Sequence, residues 1–70
     1  MNKSYKSEVF VEGSWCSNAL RFATRAEAEA SVQELMSRWW TPSDGRAAES
    51  SDAVNYRFDF LLNKNVSLED

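Results

Sequence analysis

Apolar and polar positions begin to alternate at Tyr5. Tyr5, Ser7, Val9 and Val11 fall on one side of an extended chain, and Lys6, Glu8, Phe10 and Glu12 fall on the other. This period of two predicts a half-buried strand, with Phe10 the one apolar residue on its wetter side. Gly13-Ser14 then suits a tight turn with glycine at the first central position. Alternation resumes over residues 15–22, with Cys16, Leu20 and Phe22 facing one way and Trp15, Ser17, Ala19 and Arg21 the other. The two segments together predict a β-hairpin.

The period changes at residues 22–40, FATRAEAEASVQELMSRWW. Thr24 and Glu27 have the spacing of a capping box, in which each side chain satisfies a backbone N–H left free at a helix start. Ala28, Val32, Leu35, Met36 and Trp39 recur at helical spacing and form one apolar stripe. Glu27, Ser31, Glu34 and Arg38 make the polar side, where the Glu34–Arg38 spacing adds about 0.3 kcal/mol. Four alanines between Ala23 and Ala30 keep the first half slim enough to lie close on a sheet. Pro42 cannot join the helical ladder and closes the segment. Successive helical residues point about 100° apart, so one sheet cannot take both indoles. Trp39 is assigned to the core. Trp40 is left either as a lid under the Pro42 loop or as a contact for a partner.

Residues 41–46 read as a loop, residues 46–50 as a weak strand because alanine has little β-propensity, and Ser51-Asp52 as a turn. Val54, Tyr56, Phe58 and Phe60 then alternate with Asn55, Arg57 and Asp59, the clearest strand pattern in the chain. Leu61 and Leu62 extend it without alternation, so it bends or ends there. Beyond Asn63, Val66 and Leu68 are spaced by two, which fits either a short edge strand or a disordered tail. The assembled expectation is an α+β fold in β-β-α-β-β order. A small antiparallel sheet of three to four strands carries one helix on one face. Residues 1–70 form a single domain, with residues 1–4 and 63–70 as candidate disordered ends. The second sheet face, carrying Phe10 and Trp15, is left to solvent or a partner.

Composition narrows the means of stabilisation. A chain of 70 residues buries only roughly 60% of the surface exposed on unfolding, so its core is thin. A single cysteine rules out an intrachain disulfide, and the lack of histidine rules out a Cys/His metal site. What remains is aromatic packing and oligomerisation. No cofactor is expected. The unpaired cysteine and the absence of an N-terminal apolar run point to a reducing, cytoplasmic setting. No apolar stretch approaches the ~20 residues that span a bilayer, so no membrane partner is expected. A net charge of −3 disfavours generic binding to nucleic acid or anionic lipid.

The chemistry available is limited. Cys16 has no histidine to activate it and is assigned as a buried small hydrophobe. Glu27 and Glu34 share a helix face directed at solvent, and Gly13 and Gly45 make no phosphate-binding loop. An enzyme is not expected. The aromatic residues and arginines remain. Trp15, Arg21, Arg38, Trp40 and Arg57 belong to the types enriched at interface hot spots and are the candidate partner-binding residues. The competing reading is that they finish a thin core and its rim. An aromatic sheet with arginines is also the make-up of single-stranded nucleic-acid platforms, although no RNP-type sequence is present and the charge balance is acidic.

The segments WCSNALRFATRAEA at residues 15–28, LMSRW at 35–39 and VNYRF at 54–58 resemble a group of small bacteriophage- and prophage-encoded proteins. The resemblance spans about residues 9–58 and has the form of a structural phrase, not a catalytic motif. It implies an accessory protein acting in the bacterial host cytoplasm. By analogy of size and origin, that role is an anti-CRISPR-like inhibitor that binds a bacterial host protein or complex and blocks it sterically. A homodimer completing the core through the open sheet face or a free edge is compatible with either binding reading.

Overall fold

The strand, turn and helix patterns resolve into six elements in a computed structural model, which describes residues 3–39 and 41–68. They are β1 (Ser4–Val11), β2 (Ser14–Ser17), α1 (Arg25–Arg38), β3 (Asp44–Ser50), β4 (Tyr56–Asp59) and β5 (Lys64–Ser67). The fold is α+β, with the helix packed on a sheet. In place of a single sheet there are two, a three-stranded one ordered β2-β1-β3 and a two-stranded β4-β5 hairpin, both antiparallel.

The β1–β2 turn lies one residue earlier than its sequence suggests. Val11 opposes Ser14, leaving Glu12 and Gly13 as central residues at φ 50° and 86°. Two positive φ values mark a type I′ turn, whose twist matches the flanking strands. β2 stops at Ser17 because the chain turns at Asn18, whose Oδ1 accepts from the Leu20 N–H at 3.1 Å. The chain becomes extended again at Phe22, which exchanges two 2.8 Å backbone hydrogen bonds with Tyr5.

β3 has weak strand propensity, yet it pairs with β1 from Ser4↔Ser50 to Phe10↔Asp44. Its small residues are required by the helix above. A Cβ added at Gly45 would collide with Val32 Cγ1 and Met36 Sδ.

Thr24 caps α1 as expected, its Oγ1 accepting from the Glu27 N–H at 3.2 Å. Glu27 itself does not point to solvent. Its Oε1 accepts from the Thr24 hydroxyl at 2.9 Å, and its Oε2 accepts from the Phe58 N–H of β4 at 3.0 Å. Ser31, expected on the polar side, is buried with Ala28 and Val32. The helix is approached from two directions, by β1 and β3 and by β4 and β5, so its buried arc is wider than one stripe. The helix ends at Arg38. Trp39 is an extended C-cap at φ −135° and ψ 106°, beyond the helical ladder, and the residue is 39% exposed, not in the core. Trp40 lies outside the described residues.

The core centres on Phe22, Ala28 and Phe58, with Tyr5, Leu20 and Tyr56 packed against them. Arg21-Phe22 is the seam between the two sheets. While Phe22 bonds β1, the Arg21 carbonyl accepts from Asn55 N at 2.9 Å and Tyr56 N at 3.0 Å, and Arg21 N donates to Asn55 Oδ1 at 2.7 Å. Two buried serines are satisfied in the same interior. Ser7 Oγ donates to the Ala28 carbonyl at 2.9 Å and Ser4 Oγ to the Asp52 carbonyl at 2.7 Å.

The alternating run at residues 54–60 yields only a four-residue strand. Asp59 Oδ1 accepts from Leu61 N at 3.0 Å and Leu62 N at 3.1 Å, which curls the chain out of the ladder. Asn63, at φ 55°, completes the reversal, and part of the tail returns as the ordered edge strand β5. No described helix is long and apolar enough to cross a membrane.

Candidate functional site: an aromatic and arginine sheet face

The three-stranded sheet has a covered face and an open one. Tyr5, Ser7 and Val9 of β1 lie on the face beneath α1. The alternate residues Lys6, Glu8 and Phe10 share the opposite face with Trp15 of β2 and Arg46 of β3, following the Phe10↔Trp15 and Glu8↔Arg46 pairings. α1 is the only one of the six elements to pack on this sheet, and it takes the other face.

The open face is organised around Trp15. The Phe10 ring meets it edge to face, with centroids 5.2 Å apart. Arg46 runs from β3 across β1 and sets its guanidinium 3.9 Å from the Trp15 centroid. On the way its Nε donates to Glu8 Oε1 at 2.7 Å, and Lys6 Nζ approaches Glu8 Oε2 at 3.5 Å. Glu8 is thus the pivot that fixes Arg46 over the indole. The Arg46 hydrogen bond is the main cause that holds the Glu8 carboxyl below its ordinary value, against an opposing effect of burial.

The sequence-selected residues occupy separate places. Trp15 is half-buried on the open face. Arg21 is at the seam, where its side chain donates to Asp52 at 2.9 Å, to the Asn18 carbonyl at 2.6 Å and to the Leu20 carbonyl at 3.1 Å. Arg38 is exposed at the end of α1 and holds Glu34 in a bidentate pair at 2.6 and 3.1 Å. Arg57 is exposed on the hairpin, 3.8 Å from Asp59. Trp40 is among the residues not described. The four described residues do not form one patch. Trp15 instead gathers Phe10, Glu8 and Arg46.

Arg46 is the member that sequence reasoning missed, because residues 46–50 read as a weak strand with no register. The usable sign was parity. Once β3 pairs with β1, an arginine bracketed by Gly45 and Ala47 must face away from a helix that needs those two small residues. Cys16 also departs from expectation. It shares the helix-side face with Val9, but β2 reaches past the cover of α1 and the thiol is exposed. Among the described residues, no group of three or more potential ligands is placed to hold a metal ion. Compared with known families, curated proteins and solved structures, the chain matches none of them.

Proposed function

We propose that this chain is a non-catalytic protein-binding module whose contact surface is the open sheet face centred on Trp15. The observation that carries the reading is the bracing of Trp15 by Phe10 and Arg46 on a face to which no element of the fold is packed. Tryptophan and arginine are the residues most enriched at binding hot spots, and side chains already held in place lose less freedom on association. The phage-type pattern supports a class of partner: a bacterial host protein or complex of the defence type, inhibited by steric occlusion in the host cytoplasm. A single-stranded nucleic acid is not favoured. Arg46 covers a ring face that a stacking base would use, and the Glu8 carboxylate sits beside it.

Capture from bacterial lysate by the immobilised full chain tests the reading. Trp15→Ala combined with Arg46→Ala is expected to weaken a specific partner at least about tenfold, with the far-ultraviolet spectrum unchanged. Full capture by this variant would overturn it, as would quenching of tryptophan fluorescence by oligonucleotides at low salt.

A further inference from the structure

The β4–β5 turn presents three consecutive apolar residues to water. Phe60 is 62% exposed, Leu61 94% and Leu62 61%. The turn is fixed from within by Asp59, which accepts the Leu61 and Leu62 N–H groups, and by the edge-to-face contact of Phe60 with Phe58 at 5.2 Å. It is therefore a preformed apolar knob. The chain also carries a preformed apolar hollow. Between β1, β2 and the end of α1 is a groove of about 210 Å³ lined chiefly by Val9, Val11, Cys16, Leu35 and Trp39. An apolar cavity of roughly 150 Å³ accommodates benzene, so this one has room for a leucine side chain.

We infer that Leu61 of one copy seats in the groove of a second copy. Charge points to this occupant. Of the eight lysines and arginines, seven take part in ion pairs, and Lys64, which stands opposite Asp59 across the base of the turn, makes none among the described residues. Of the four described acids that make no ion pair, Glu12, Glu27, Glu29 and Asp44, Glu12 adjoins the groove, in the turn directly after Val11. Among the described residues, the base of the knob thus carries a cation without an ion pair, and the turn adjoining the groove an anion without one. Composition agrees, because contacts between identical subunits are the more apolar class of interface. The contact also supplies the burial that a chain this short lacks alone. It goes beyond the proposed function and leaves that surface free, since the groove opens on the helix side of the sheet and Trp15 faces the other way.

Sedimentation of the full chain over a range of concentrations tests the association, and Leu61→Cys tests its geometry. Self-association is expected, and it should be lost in Leu61→Asp, a change at a side chain that the lone chain does not bury. Lys64→Glu and Glu12→Lys should each weaken it about tenfold at low salt, and the two together should restore it. Under oxidised glutathione, Leu61→Cys should give a covalent dimer whose peptide map links Cys16 to the introduced thiol. A monomer at every concentration would overturn the inference, as would a dimer whose map lacks that link. In either case loss of partner capture by the Trp15 variant would still stand, so the two proposals fail separately.

Discussion

The three-stranded sheet and the β4–β5 hairpin dispose of their apolar residues in opposite ways. The sheet places Val9 and Gly45 under α1, and on its open face it holds Trp15 between Phe10 and Arg46. The hairpin buries Phe58 but turns Phe60, Leu61 and Leu62 outward. A two-stranded hairpin is marginal in water by itself, so this one depends on its anchorage. That anchorage consists of Phe58 in the core, the Glu27 carboxylate on Phe58 N, and Arg21 on Asn55 and Tyr56. The sheet and helix form the body of the domain, and the hairpin is an attachment joined through a few named groups.

The largest test of this contrast compares two phenylalanines. Phe22 is fully buried where the two sheets meet, and Phe22→Ala is expected to cost ~3–5 kcal/mol and to loosen both regions together. Phe60→Ala, at the exposed turn, removes only the edge-to-face contact with Phe58 and should cost about 0.5–1.5 kcal/mol. Chemical denaturation of the two variants checks the pair. Equal costs would mean that the hairpin tip is packed in solution.

The two glycines give the next largest difference, for unlike reasons. Gly45→Val drives a side chain into Val32 and Met36, overpacking that costs about 1–3 kcal/mol or more. Gly13→Ala meets nothing in space, but it places an alanine at φ 86° and should cost about 1 kcal/mol. Repacking the helix side by Met36→Ala should recover part of the Gly45→Val loss and none of the Gly13→Ala loss. Thermal melts of the single and double variants separate the two causes.

A third test acts on the attachment and on the helix cap that shares its carboxylate. Glu27→Ala leaves the part-buried Phe58 N–H without its acceptor, at about 1–3 kcal/mol. Amide exchange should accelerate in β4 and β5 and remain slow in β1 and β3. Glu27→Gln, which keeps a carbonyl oxygen at the same reach, should preserve most of the protection. Uniform acceleration across both sheets would show that the hairpin and the body open as one unit.

The same contrast explains what was legible in the sequence. β1, the first hairpin, the Thr24 cap and the Glu34–Arg38 pair were readable because each rests on local spacing. Trp39 and Cys16 were misassigned because both needed the length of an element, not its pattern. α1 ends one residue before Trp39, and its cover does not reach Cys16. Ser31 was misread because a helix wheel assumes one covered side and α1 has two. β3 was nearly lost because alanine and glycine look indifferent until the helix above them is known. The tail strand is ambiguous in sequence because two apolar residues spaced by two, Val66 and Leu68, are too few to separate a strand from a disordered tail. The site fared worse than the fold. Trp15 was found by type, but Arg46 and Glu8 join it only through the β1–β3 register, which no local pattern encodes.

The smallest expected effect concerns the open face and acid. Glu8 keeps its carboxyl below the ordinary value because Arg46 donates to it. A carboxylate with a lowered folded value adds stability that is fully present above the unfolded value, near 4.5, and is lost as pH falls through the lower folded one. Its Arg46 partner is half exposed, so the pair contributes at most about 1 kcal/mol. The more telling readout is local. Protonating Glu8 releases the guanidinium that lies over Trp15, so the near-ultraviolet signal of the wild-type chain should change in that acid window ahead of global unfolding. Glu8→Gln should already show the released signal at neutral pH and should lose that step. A step of the same size in Glu8→Gln would assign it to Glu34 or Asp52, whose arginine partners lower them in the same way, and would show that Arg46 holds its place over Trp15 without the carboxylate.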